Sequence, residues 1–351
     1  MTTTTTTLTT LPSDIIHTHI LPRLDGPSLS STATVSSHLH HLCSDDHLWA
    51  DVTKSTWPST THPRVNTLIS TFPSGHRSFF HDSFPALFSD THYRSSTPPP
   101  PSTTVPPQLI SAVDIRFKND VVYSAVQFTD TSPDFLTSEL QIGFSDDPTC
   151  PGSGSETRIT RPIDVEVDEL AGADLATLAD LEQSVTLSWI MIYPTQRRSG
   201  NISSIKPVAA RQDWMGNETV LKFVTVLPGS DPGEMVKCKI ELVLGVNVGM
   251  CNLHVKHVGL KVEDLSYRGL NGGEFLVILQ RAILEENNVR RKVMDGEDRL
   301  RRYKEFKEMR RMKKEYERVE EEKRVFVVKM NYVVIFVSFC FSLYFLMLML
   351  Q

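Results

Sequence analysis

Cysteine is scarce in this chain. There are five in 351 residues, Cys43, Cys150, Cys238, Cys251 and Cys340, all far apart in sequence. None stands in CxxC spacing, which excludes a zinc ribbon and a thioredoxin-like redox motif. An odd, dispersed set points to reduced thiols in a cytosol-facing protein rather than to a disulfide scaffold. Excess positive charge is lacking as well. Lys and Arg number 36 against 42 Asp and Glu, for a net charge of −6. A phosphate-binding surface needs a basic excess, so no nucleic-acid partner is expected. No glycine-rich phosphate loop is present: Gly269, Gly272 and Gly273 lack the strand-GxGxxG-helix context. The segment 1–10 is nearly all threonine, without the basic start and apolar core of a secretory signal. It reads as a disordered leader. Nothing in the chain points to a cofactor, a resident metal or a catalytic constellation, so a non-catalytic role is expected.

The composition divides the rest into regions. Residues 11–95 are rich in Leu, Ser, Thr and His, and 96–108 form a proline-rich run, Pro98 to Pro101 with Pro106 and Pro107. Such a run favours extended geometry and acts as a spacer. From 109 to about 265 the apolar residues alternate: Val113, Ile115, Phe117; Leu140, Ile142, Phe144; Ile163, Val165, Val167; Val185, Leu187, Trp189, Met191, Tyr193. Leu221, Phe223 and Leu227 and the runs 235–246 and 253–262 follow. Period-two spacing puts one set on a core face. Turn signals stand between the runs at Asn119-Asp120, Asp146-Asp147-Pro148 and Pro228-Gly229-Ser230. Seven or so short strands of this kind predict an antiparallel sandwich, with Leu175, Leu178 and Leu181 as one short helix between strands.

Residues 281–324 are densely charged, with apolar residues at Leu300, Tyr303, Phe306, Met309, Met312, Tyr316 and Val319. That spacing, mostly three, is too tight for a sustained heptad and predicts a long solvated helix. Residues 330–350 read MNYVVIFVSFCFSLYFLMLML, with no charge after Lys329. As a helix this run spans about 31 Å, which predicts a transmembrane helix. Lys323, Arg324 and Lys329 on its N-terminal side would keep the bulk in the cytosol. The expectation is a single-pass tail-anchored protein, in the endoplasmic reticulum because a short span suits a thin bilayer. The alternative location is cytoplasm or nucleus.

The segment from Leu11 to Trp49 reads LPSDIIHTHILPRLDGPSLSSTATVSSHLHHLCSDDHLW. Ser13 and Ser28 are usable helix caps, Asp14 favours a helix N-terminus, and Asp25-Gly26-Pro27 breaks the first helix. So few residues cannot bury that many large apolar groups internally, and a partner is the natural destination for the surplus. The segment resembles an F-box, whose usual pattern is an LP-x-D opening, an apolar helix ending in R-L, a second apolar helix and a closing L-W. Arg23 and Leu24 supply the R-L here, and Leu48 and Trp49 the L-W. Many F-boxes carry Trp where Leu39 stands and Cys near Val35. Residues 49–84, with STWPS, HPRV and FPSGHRSFF, and the later LISAVDI, LSWIMIYP and LVILQ, are similar to a plant F-box subfamily in which a β-rich region follows.

The resemblance covers about residues 11–282, and with the composition of the rest it gives an α+β chain in seven parts: a leader (1–10), a small helical F-box (11–58), its extension (59–95), a linker (96–108), an antiparallel β-sandwich-like substrate-recognition domain (109–280), a long charged helix (281–324) and the membrane anchor (330–350). It implies a substrate-recognition subunit of an SCF-type cullin–RING ubiquitin ligase, with a Skp-family adaptor, a cullin scaffold and an unidentified protein substrate as partners. The membrane would be a further partner through the C-terminal helix. Expected adaptor-binding residues are Leu11, Pro12, Ile15, Ile16, Ile20, Leu21, Leu24, Leu29, Val35, Leu39, Leu42, Leu48 and Trp49. The alternative is a lectin-like ligand-binding β module, or a membrane scaffold, with a secondary F-box.

Other clusters carry less. His38, His40, His41, Cys43 and His47 scatter over different helix faces and read as surface rather than metal ligands. His254 and His257, three apart on a strand, are expected on opposite faces. Trp189 reads as core, Trp214 as more open, and Arg197 and Arg198 as a solvated turn. Asn201 and Asn217 begin glycosylation patterns that a cytosolic domain would leave unused.

Overall fold

The computed structural model describes residues 12–87, 105–145, 156–165, 167, 173–213, 218–230, 234–247, 249–284 and 296–349. Its β region is two antiparallel five-stranded sheets laid face to face. In the first, β1 (Gln108–Phe117) and β2 (Asp120–Asp130) form a hairpin. The two turn residues, Lys118 and Asn119, both have left-handed φ, 48° and 73°. That pair of conformations matches the right-handed twist of a tight hairpin. With β4 (Glu156–Thr160), β5 (Val185–Tyr193) and β6 (Arg198–Asn201), the strand order is β4-β2-β1-β5-β6. The second sheet runs β3-β10-β9-β8-β7, from β3 (Ile142–Ser145), β7 (Ala209–Asp213), β8 (Glu218–Pro228), β9 (Met235–Asn247) and β10 (Asn252–Glu263).

Val113, Ile115, Leu187, Trp189 and Met191 of the first sheet share one core with Leu221, Phe223, Ile240, Leu242 and Val258 of the second. Trp189 meets Phe144 edge-on at 5.3 Å. The short helix between strands is present as α8 (Leu175–Ser184), after α7 (Pro133–Thr137). The Ile163 run makes only an isolated bridge, to Leu253. His254 and His257 differ from expectation. A register shift between Val255 and His257 inserts one residue, so His254 pairs opposite Gly245 and His257 opposite Val243. Both therefore lie on the outer face, since a bulge changes the parity of the strand.

The N-terminal helices cover the first sheet. In chain order they are α1 (Ser13–Ile15), running on through a π turn (Ile16–Ile20) and a 3-10 turn (Leu21–Arg23), then α2 (Gly26–Ala33), α3 (Ser37–Leu42) and α4 (Asp46–Thr56). A 3-10 turn (Pro58–Thr61), α5 (Pro63–Ile69) and α6 (Gly75–Ser83) follow. Ile110, Ala112, Val126, Ile190 and Ile192 point out from the sheet into the same apolar cluster as Trp49, Trp57, Phe79 and Phe80. Both faces of the first sheet are thus buried.

Polar groups set the alignment of helices on sheet. Asp114 of β1 is buried, and its carboxylate accepts from the Ser59 amide (2.9 Å), the Ser59 hydroxyl (2.5 Å) and the Ser124 hydroxyl (2.7 Å). Arg116, two residues on, donates to the Thr56 carbonyl at 3.1 Å and to that of Ser55, at the end of α4 where unpaired carbonyls collect. At the other end of the sheet Arg198 donates to Asp82 of α6 at 2.8 Å and to the Ile283 carbonyl at 3.1 Å. Arg198 is therefore an internal tie and not a solvated turn residue. The Ile283 carbonyl belongs to α9 (Gly272–Leu284), whose Phe275 and Leu279 join the sandwich core. Asn201 is also structural: it is buried, and its carboxamide oxygen accepts from the amides of Trp189 and Ser203, each at 3.1 Å.

The C-terminal helix, α10 (Gly296–Met349), bears on two expectations. Its first turns are solvated on most sides but dock along one narrow face. Phe306 is buried among Val224, Val226 and Met235 on the outer face of the second sheet, with Tyr303 and Met309 beside it. Arg310 is buried there, 3.8 Å from the Tyr267 ring centre, and donates to Glu263 (3.3 Å) and to the Asp264 carbonyl (2.6 Å). Burial raises the Glu263 pKa, but Lys237, Lys239 and Arg310 outweigh it and hold the carboxyl below the usual carboxylate range. The second is a correction and concerns the membrane. Among the described residues no helix is long and apolar enough to cross a bilayer, which overturns the transmembrane anchor and the tail-anchored location. The apolar run is no element of its own. It continues the charged helix that begins at Gly296, and Asn331, Tyr332, Ser338 and Ser342 interrupt it.

Burial dominates the titration of Asp114. Although three donors point at it, desolvation pushes its pKa up to about 6 from 3.8. A folded-state pKa above the unfolded one means that stability is fully present below the unfolded value and is lost as pH rises through 6. From pH 7.5 down to 4.5 this one group restores about 2 kcal/mol. Asp114→Asn keeps acceptor and donor positions without the charge. Its stability relative to the unsubstituted chain should be highest at pH 7.5 and fall by about 2 kcal/mol by pH 4.5. Urea unfolding of both proteins across this range checks the difference.

Candidate functional site

The N-terminal helical unit is the candidate binding surface, and its local order follows from its caps. Asp25, not Ser28, caps α2: its carboxylate accepts from the Ser28 amide at 2.9 Å. That hydrogen bond and the Ser28 hydroxyl hold its pKa below the usual carboxylate range. Ser36 caps α3 through the Leu39 amide (3.2 Å), and Asp45 caps α4 through the His47 amide (3.0 Å). Ser13 makes no cap bond; Pro12 holds the cap position of α1. The same Asp45 reaches back to His17 at 2.9 Å and so fixes the first helix against the third interhelical turn. Pro22 lacks an amide hydrogen and ends the first helix one turn later, in 3-10 form.

These caps place Ile16, Leu21, Leu29, Leu39, Leu48 and Trp49 inside the unit, all buried. Trp49 donates from Nε1 to the Cys43 carbonyl at 2.7 Å and lies 5.4 Å from the Phe80 ring. Cys43 is buried beneath, and desolvation raises its thiol pKa. His38, His40, His41 and His47 are exposed. Among the described residues no group of three His, Cys, Asp or Glu could hold a metal ion.

The surface residues are a different set. Ile15 is 43% exposed and Val35 71%. Pro12 is exposed too, and Ile20, Leu24 and Leu42 are half-buried. Leu11 lies outside the described residues. The helical unit therefore presents apolar side chains around a core that is already complete, and the exposed ones can lie against a partner without unfolding it.

An F-box-like family model matches residues 8–55. The Arabidopsis thaliana F-box protein At2g27310 is 37% identical over 319 residues, 86% of each chain. F-box protein At3g44326 of the same plant is 36% identical over 283 residues, 77% of this chain and 72% of its own. The probable F-box protein At2g36090, also from Arabidopsis thaliana, is 35% identical over 311 residues, 88% and 85%. The chain belongs to this F-box family. No solved structure matches it.

Seen as an F-box protein, the chain's departure at Leu39 has a small consequence. Leu39 is buried, so the exchange alters packing inside the F-box and leaves the exposed surface unchanged. The groups that sequence reasoning passed over are the ones that brace the F-box from behind. Asp46 accepts from the His76 amide at 2.7 Å and meets its Nδ1 at 2.9 Å, while Nε2 lies 3.2 Å from the Asn66 carboxamide oxygen. The Trp57 ring meets Phe79 edge-on at 6.0 Å and lies tilted against Phe80 at 5.1 Å. The clustering of FPSGHRSFF just after a tryptophan was the available signal. Trp189 is fully buried and offers no open aromatic face, and Trp214 lies outside the described residues.

F-box and brace pack tightly at Gly26. A β-carbon there would stand 2.0 Å from the Phe80 ring. Gly26→Ala should therefore cost about 1–3 kcal/mol through overpacking, despite the better helix propensity of alanine. Phe80→Leu in the same chain should recover part of that loss. Thermal unfolding of the single and double variants measures the coupling.

Proposed function

We propose that this F-box protein is a substrate-recognition subunit of an SCF-type cullin–RING ubiquitin ligase. Its F-box docks a Skp-family adaptor, and its β sandwich holds a protein substrate. The observation that carries the reading is the F-box itself, folded as a complete helical unit with Pro12, Ile15 and Val35 left exposed on it. Apolar groups laid into a partner's groove supply binding energy by burial, at about 25 cal/mol per Å² gross. The chain then contributes proximity: it raises the effective concentration of substrate lysines near the charged conjugating enzyme. That role needs no nucleophile and no cofactor.

Apart from Leu11, which lies outside the described residues, the expected contact residues divide within this reading into two sets of six. The exposed and half-buried ones, Pro12, Ile15, Ile20, Leu24, Val35 and Leu42, touch the adaptor. The buried ones, Ile16, Leu21, Leu29, Leu39, Leu48 and Trp49, hold the surface in shape. Ile15→Asp with Val35→Asp should weaken adaptor binding at least tenfold, because each places a charge in an apolar contact. The unfolding temperature should stay within a few degrees, since neither side chain is buried. Pull-down and titration calorimetry with a purified Skp-family adaptor give the first quantity, and circular dichroism the second. Undiminished binding by a folded double variant would remove the docking assignment.

A further inference from the structure

Up to Val319 the apolar residues of α10 fall on two faces; from Val325 on they stand all round the helix. Tyr303, Phe306 and Met309 turn to the second sheet and are spent on docking. Beyond Arg310 a new stripe begins. At about 100° per residue, Met312, Tyr316 and Val319 lie roughly 110° around the helix from Phe306. They are exposed, Met312 by 57% and Tyr316 by 66%. The stripe continues through Lys323 and Phe326, the latter 64% exposed, and Met330, and after two valines it reaches Cys340, also exposed. The steps run four and three from Met312 to Val319, and the same 3.5-residue period of a left-handed coiled coil passes Lys323 to reach Phe326, beyond which apolar residues stand on every face of the helix. The tight spacing of three in the sequence came from reading the docking face and this stripe as one series.

We propose that the stripe is the seam of a parallel two-stranded coiled coil with a second copy of this chain. A seam of this period fits a helix of the same period, and an identical helix in register supplies one. Between Arg311 and Arg324 the positions off the seam are all charged, so only the seam is fit to be covered there. The charges agree with parallel pairing. Glu308, which also pairs with Arg311 of its own helix at 2.8 Å, and Lys313 flank the seam five residues apart, at positions that meet across two parallel helices. Lys323, the charge within the seam, is flanked by Glu320 and Glu322, carboxylates that a second copy brings to its ammonium. A lone seam lysine costs stability and fixes register and strand number. Glu315 and Glu320 would approach each other in this arrangement, but each has its own arginine: Arg318 at 2.6 Å and Arg324 at 3.9 Å. The docking of Phe306 and Arg310 leaves the seam uncovered by the sheet.

The test uses the full chain and needs no adaptor, so it is independent of the ubiquitin-ligase reading. Sedimentation equilibrium should show a dimer. Val319→Glu with Phe326→Glu should weaken self-association at least tenfold, with the unfolding of the β sandwich unchanged. Lys314→Glu with Glu321→Lys, on the face opposite the seam, should leave the dimer intact. A short bismaleimide should join two copies through Cys340, and Cys340→Ser should abolish the product. A monomer at all concentrations would overturn the proposal, as would self-association indifferent to the seam substitutions. A dimer without Cys340 cross-links, as antiparallel pairing gives, or capture of the chain as a monomer on phosphatidylcholine vesicles would overturn it equally.

Discussion

The outer face of the first sheet is closed to water, and most of the molecule is arranged around that constraint. Ile110, Ala112, Val126, Ile190 and Ile192 would be a broad apolar surface on a free sandwich. Each large aliphatic group among them is worth about 1.5–3 kcal/mol when taken out of water. The helices that cover them carry the F-box. The F-box and the sandwich thus share a core, and neither buries its apolar residues without the other. Small domains bury too little surface to be stable alone, and the N-terminal helices meet that limit by borrowing a sheet.

A shared apolar core does not by itself fix a direction, and two buried aspartates do so by different chemistry. Asp82 accepts from a guanidinium and an amide, Arg198 and Ser199, so its charge has a compensating charge at 2.8 Å. Asp114 accepts only from an amide and two hydroxyls. Neutral donors satisfy its lone pairs but do not offset the loss of water around a full charge. That is why burial governs Asp114 and why one of the two contacts between helices and sheet responds to protons. Arg116 is nearby but is occupied with the last carbonyls of α4.

How much of this was legible in the sequence depended on whether a face was wet. β5, β8, β9 and β10 showed themselves because apolar and polar residues alternate along much of each. β2 did not, although its turn signal at Asn119-Asp120 was noted. Both of its faces are covered, so Val121 to Phe128 carries no alternation to read. Asp114 is illegible for the same reason: Val113, Ile115 and Phe117 mark one face of its strand as core, and nothing in the sequence shows that the other face is covered too. His254 and His257 were misplaced by a bulge, which no composition signals. In the F-box the apolar positions up to Trp49 are legible in the sequence, while Val52, Trp57 and the division into inside and outside are not. The π turn over Ile16–Ile20 shifts the phase of the helix. A helical count at 100° per residue therefore cannot say that Ile16 faces in and Ile15 out.

The same phase argument explains the long C-terminal helix. A straight helix of 3.6 residues per turn cannot keep one stripe against a flat sheet and another along a partner unless the two are separate series. Here the series meet between Met309 and Met312. Tyr303, Phe306 and Met309 serve a contact within the chain, fixed by Arg310 over Tyr267 and Phe306. Met312, Tyr316 and Val319 belong to a different face. Docking the base of the helix with a buried arginine gives that second face a fixed bearing on the sandwich. The sandwich in turn has a fixed bearing on the F-box through Asp82 and Asp114. A receptor that contributes proximity alone depends on such joints, because a loose connection spreads a bound group over a larger volume and lowers its effective concentration at any one place.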